Sequence, residues 1–359
     1  MKSLNTEIKK FLHEGTVIPA HPLVLKTDKS IDEERQRRLT RYYIASGAGG
    51  IAVGVHTTQF EIRAPQINLL EPVLKLAAEE VKNAGLQNPF IKVAGICGAT
   101  DLAKKEAELA VKYNYHLGLL SNGGLQNYSE AQLIKRAEAI AEIIPLFGFY
   151  LQPAVGGRKL SYEFWRDFAD IPNVHAIKVA AFNRYQTLDV VRAVCDSSRR
   201  NEIALYTGND DNIVADLLTP YRFTINGETI EKRFTGGLLG HWAVWTSKAV
   251  QLLGKIKQCI ASDYAGIEAL LSKGIEVTDM NAVIFDANNN YHGCISGIHE
   301  VLRRQGLMDN IACISPKETL SPGQTEEIDR IIAEHGALTD DGFVEKFIQT
   351  DRAKKQVHV

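Results

Sequence analysis

Cysteine is scarce and unorganised in this chain: five residues (Cys97, Cys195, Cys259, Cys294 and Cys313) in 359, odd in number, with no C-x-x-C spacing. That excludes a disulfide framework and a cysteine-rich zinc site, and it suits a reducing compartment, so a cytoplasmic location is expected. No apolar run approaches the roughly 18 residues of a membrane span. The first ten residues, MKSLNTEIKK, lack the apolar stretch of a secretory signal. Neither sign of charge is in excess: 41 Lys and Arg against 43 Asp and Glu leave a net charge of −2. Nothing in that balance calls for a nucleic acid or an anionic membrane as partner. Also missing are a G-x-G-x-x-G after the first candidate strand, an H-x-H pair, and any Pro/Ser-rich linker or low-complexity segment. The first of these absences disfavours an open dinucleotide-binding sheet.

What remains is an ordinary globular composition, 45% hydrophobic and 23% charged, with enough length for a deep core. Short apolar runs recur at 16–19, 50–55, 90–96, 116–121, 147–152, 175–180, 202–207 and 236–241. Helical patterns separate them, including 70–84, 101–113 and a segment opened by the capping box Ser129 to Gln132. Eight strand–helix alternations in about 250 residues predict a (β/α)8 barrel. Beyond 248 the strand signals fade while helical ones continue, with a further helix start expected at Ser321-Pro322. We therefore expect a barrel over 1–248 and a helical extension over 249–359 packed upon it.

Lys178 lies inside the apolar run 175–181, HAIKVAA. A lysine buried there loses hydration, which lowers its amine pKa, and an uncharged amine attacks carbonyl carbon. The alternative is a lysine paired with a carboxylate or reaching outward from a strand end. Alternation along the strand puts Ala176, Lys178 and Ala180 toward the lumen. On the preceding strand, the same rule predicts Phe147, Phe149 and Leu151 against the helices and Gly148, Tyr150 and Gln152 inside. A phenol and an amine would then share one cavity. At the end of the second strand, His56, Thr57 and Thr58 offer hydroxyls and turn N–H groups to a carboxylate, or simply stabilise the turn. After the seventh, Gly208 and Asn209 open a turn that a ligand could approach closely. His21, His56 and His241, with Asp210 or Asp211, form a rival constellation for a divalent metal.

Taken together, these residues resemble the dihydrodipicolinate synthase and N-acetylneuraminate lyase family. The likeness is carried by 28–34 (DKSIDEE), 50–58 (GIAVGVHTT), the Y-x-x-P of Tyr150 and Pro153, the I-K of Ile177 and Lys178 28 positions after Tyr150, 206–210 (YTGND) and 285–307. It implies a Schiff-base lyase, aldolase or dehydratase, without a cofactor or a resident metal, acting on a 2-oxo acid such as pyruvate or a sugar-derived keto acid. Lys178 would form the imine, Tyr150 would move protons, Thr57 would support that relay, and Thr58, Gly208, His56, Asn209 and His241 would contact the substrate. The resemblance also implies a homodimer or homotetramer. Three departures stand out. The family's G-T-T-G-E reads HTTQF at 56–60; the arginine of the synthase branch falls at Val155, with Arg158 as its nearest substitute; and the P-Y-Y segment is missing around 121–124. Residues 225–232 look like an inserted hairpin near the barrel mouth. A 2-oxo-acid-binding protein without turnover is the third reading of the same fold.

Overall fold

The computed structural model describes residues 3–356. Eight strands run parallel: β1 (Val17–Pro19), β2 (Gly50–Val53), β3 (Ile91–Ile96), β4 (Leu117–Leu120), β5 (Leu146–Leu151), β6 (Val174–Ala180), β7 (Ala204–Thr207) and, after an intervening two-stranded hairpin of β8 (Tyr221–Ile225) and β9 (Glu228–Lys232), β10 (Phe234–Leu239). Their order is β1-β10-β7-β6-β5-β4-β3-β2, and a parallel bridge from Ala20 to Ala52 joins the two ends. The sheet is thus the expected (β/α)8 barrel with helices outside.

Alternation divides the core in two. An inner set (Ile18, Ala52, Val93, Leu119, Phe147, Phe149, Ala176, Ala180, Ala204, Tyr206 and Leu238) fills the lumen. A larger outer set joins the strands to the helices and runs on into the C-terminal region through Met308, Ile328 and Val344. The N-terminal helix Thr6–Glu14 plugs the bottom of the barrel: Ile8 and Leu12 join the inner set, and the Tyr206 hydroxyl donates to Leu12 O at 2.9 Å. Water is therefore shut out from below, and access to the lumen is from the C-terminal ends of the strands.

Three expectations need adjustment. The inserted hairpin forms, turning at Asn226 and Gly227, both with positive φ. However, β9 leads directly into the start of β10, and Lys232 donates to Arg200 O. The hairpin therefore lies at the bottom of the barrel, away from the mouth. The helix expected from Ser321-Pro322 begins later, as Gln324–Glu334, and the Gln324 side chain reaches back to accept from Ser321 N at 3.0 Å. A boundary after 248 would fall within the continuous helix Thr246–Ala261.

Candidate functional site

Lys178 faces the lumen, between Ala176 and Ala180 on β6, and is 8% exposed. Two neighbours make room for it. Gly208, just past β7, has no side chain; a methyl there would sit 2.5 Å from Lys178 Cε. Phe149, its register partner on β5, lies flat under the amine, with Nζ 4.5 Å from the ring centroid. Burial disfavours the ammonium and lowers the amine's pKa, while the nearby Asp210 carboxylate opposes that shift. Asp210 responds in the opposite sense: burial raises its pKa, and Lys178 and the His241 N–H, 3.4 Å from Oδ1, hold it down. Amine and acid are thus two coupled buried groups at the closed end of one cavity.

That cavity, of about 60 Å³, is lined by Lys178, Asp210, His56, Thr57, Gly208, Gln152, Phe149, Phe182, Tyr291 and Cys294, among others. It has room for a few waters or an acid of comparable size. Thr57 donates its hydroxyl proton to Ala20 O at 2.8 Å, and in the same turn Thr58 N donates to Val55 O at 3.0 Å, which leaves the N–H groups of His56 and Thr57 as the turn's donors for a ligand. His56 is neutral: burial, then the charge on Lys178, lower its pKa to about 4.

Other expected site residues lie elsewhere. Tyr150 points outward, which corrects its assignment as the acid–base group. Its ring stacks on Trp165 at 5.3 Å and its hydroxyl donates to Gln186 Oε1 at 2.8 Å. The cause is the aromatic helix Tyr162–Asp170 outside β5: a side chain on Gly148 would strike Phe168 at 2.6 Å, so Gly148 and Tyr150 take the helix side and Phe149 the lumen. Thr58 is buried beneath the turn, accepting from Gly54 N and Val55 N and donating to His21 O. Asn209 holds the β7 loop: its oxygen accepts from Phe182 N and its amide donates to Asp216 at 2.8 Å. His241 is buried behind Asp210, against Trp245, and does not line the cavity. The metal constellation is not assembled either. Both His21 nitrogens are engaged, with Pro22 O and with Thr40 Oγ1. Among the described residues, the only group of three close metal-type ligands is Asp279, Glu334 and His335, where Arg330 already pairs with both carboxylates.

Asp210, Gln152 and Tyr291 line the cavity outside the substrate-binding set expected from the sequence. Asp210 figured only as a metal ligand, although its place beside the β7 glycine was a signal. Gln152 was assigned to the inner face of β5 and reaches the cavity from beyond the strand's end. Tyr291 comes from the C-terminal region, where no periodicity marks it.

Comparison with known proteins agrees with this architecture. The sequence profile of the dihydrodipicolinate synthetase family matches residues 14–220. The N-acetylneuraminate lyase of Citrobacter koseri is 27% identical over 205 residues, 56% of this chain and 65% of the lyase. The match thus spans slightly under two thirds of that relative's length. Among solved structures, dihydrodipicolinate synthase from Oceanobacillus iheyensis superposes with a TM-score of 0.70 at 18% identity, covering 92% of this chain and 99% of the other. N-acetylneuraminate lyase from Fusobacterium nucleatum, in complex with pyruvate, gives 0.68 at 18% identity over 91% and 98%.

Proposed function

The chain belongs to the dihydrodipicolinate synthetase family, and from that premise we propose that it is a Schiff-base-forming lyase, an aldolase or a dehydratase, for a small 2-oxo acid such as pyruvate or a sugar-derived keto acid. The observation that carries the reading is Lys178: a buried amine of lowered pKa that faces a cavity closed at its lower end. In this reading the neutral amine adds to the ketone carbon, and Asp210 takes up and returns the protons needed to expel water. The resulting cationic imine is an electron sink for the pair released when a bond to C3 breaks. The N–H groups of His56 and Thr57, at the start of that turn, receive the substrate carboxylate. Val155 lines the wall where the synthase branch carries arginine, and Arg158 is engaged with Leu125 O and Tyr128 O. That wall suits a second reactant without a second carboxylate, and so disfavours the lysine-biosynthesis reaction. Five free thiols accord with a cytoplasmic protein, and the family resemblance favours a homo-oligomer.

Borohydride reduction in the presence of pyruvate tests the reading. The expected result is one stable adduct per chain, mapped by mass spectrometry to Lys178 and lost in Lys178→Met. If a panel of 2-oxo acids leaves no adduct on Lys178, the reading fails.

A further inference from the structure

With Tyr150 stacked outside the barrel, the inner face of β5 presents a phenyl ring to the amine where a phenol was expected. Yet the cavity does contain a phenol. Tyr291, from the C-terminal region, lines it together with Lys178 and Gly208. Its ring meets Phe182, which follows β6, edge-on at 5.9 Å. Burial raises the pKa of its hydroxyl, with a hydrogen bond from Gln152 acting against that shift.

The backbone that delivers Tyr291 is unusual. Asp286, Asn290 and Tyr291 all have positive φ (55°, 52° and 63°) within one turn. Asp and Asn adopt that conformation readily, but a tyrosine holds it only when its surroundings impose it, and such strain gathers at functional sites. Here the surroundings are explicit. The buried Asp286 carboxylate accepts from Gly293 N, Asn289 Nδ2 and Ser321 Oγ, and its carbonyl accepts from Tyr291 N. Gln324, at the start of the later helix Gln324–Glu334, donates to Gly293 O at 3.1 Å. A hydrogen-bonded clamp thus fixes a strained turn whose exposed product is one phenol in the cavity.

We propose that Tyr291 is a catalytic residue, the proton donor and acceptor at C3 of the substrate imine, supplied in cis by the C-terminal extension. The inference rests on Lys178 forming that imine. In the protonation step the phenol O–H bond breaks and the π pair of the enamine becomes the new C3–H bond. The nitrogen lone pair restores the cationic imine, and the phenolate left beside that cation regains its proton from water. The reverse step removes a C3 proton, so pyruvate alone suffices as probe.

The test is exchange of the pyruvate methyl protons in D2O, followed by NMR, beside borohydride trapping of the same samples. The wild-type chain should exchange and trap. Tyr291→Phe keeps the ring on Phe182 and should still trap on Lys178, while exchange falls by about 100-fold or more. Tyr150→Phe should exchange within a few-fold of the wild type. Undiminished exchange in Tyr291→Phe, with trapping intact, overturns this inference alone. Loss of exchange in Tyr150→Phe, with trapping intact, likewise overturns it, which keeps the test decisive even if Tyr291→Phe does not fold. Failure of the wild type to trap any 2-oxo acid is a different result and removes the imine reading on which the inference rests.

Discussion

At the scale of single residues, the balance around Lys178 fixes when its amine is free. Burial favours the neutral form, the Asp210 carboxylate favours the ammonium, and the other titratable group against the amine, His56, is neutral. Replacing Asp210 by Asn removes the negative charge that raises the lysine's pKa. The pH at which borohydride trapping reaches half its maximum should then fall below the wild-type value, itself below that of an ordinary lysine near pH 10.4. Trapping as a function of pH checks this; a midpoint displaced upward would show that the carboxylate does not act on the amine as its position implies. Lys178 was legible in the sequence because small residues flank it and its alternation is clean. Tyr150 was not, because β5 is apolar on both faces, Phe149 beside Tyr150, and period-two reasoning cannot choose between them. The choice was made by Phe164, Trp165 and Phe168 on the helix outside, which admit Gly148 on their side and claim the Tyr150 ring for stacking.

At the scale of elements, local signals that carry their own hydrogen bonds were readable, and those that depend on distant partners were not. The capping box of Ser129 and Gln132 closes reciprocally, at 2.8 and 3.2 Å. The Asn226-Gly227 turn likewise forms where its residues allow positive φ. The turn after β2 is different. Thr58 looked like a ligand group, yet its hydroxyl is the hub of the turn: two backbone N–H groups donate to it, and it donates to His21 O at 2.7 Å, tying β2 to the end of β1. Thr58→Val keeps the shape but leaves those buried groups without partners, at a cost of about 2 kcal/mol. The expected outcome is a lower urea midpoint with the denaturant slope unchanged. Trapping at Lys178 should survive, because Thr57, not Thr58, faces the cavity. A loss of trapping at full stability would return Thr58 to the substrate. The turn 286–293 was illegible for the same reason as Thr58: its clamp uses Ser321 and Gln324, more than 25 residues downstream.

At the scale of the whole molecule, barrel and extension share one core, and polar groups are buried where they meet. Asp340 accepts from Tyr42 Oη and Ser247 N of the barrel and from Gln305 of the extension. Asp351 pairs with Arg38 and Arg41. Histidines His21, His241 and His299 are buried across the same body and His56 is half-buried, each with its pKa lowered by burial from 6.5 to about 4. All four are neutral in the native state, whereas in the unfolded chain each takes up a proton as pH falls through 6.5. The unfolded state therefore binds more protons below that point, and stability must decline as pH drops from 6.5 toward 4. Linkage puts the loss at roughly 1–2 kcal/mol per histidine at pH 5, before the native state itself begins to protonate. Urea midpoints measured at about pH 7.5 and about pH 5 should differ markedly, with the acid value the lower. Removing one contributor, by His299→Gln, should flatten that dependence while leaving Lys178 trapping at neutral pH intact. Equal midpoints at the two pH values would mean that the four imidazoles are not held neutral, and that the interior around the barrel mouth is wetter than its packing implies.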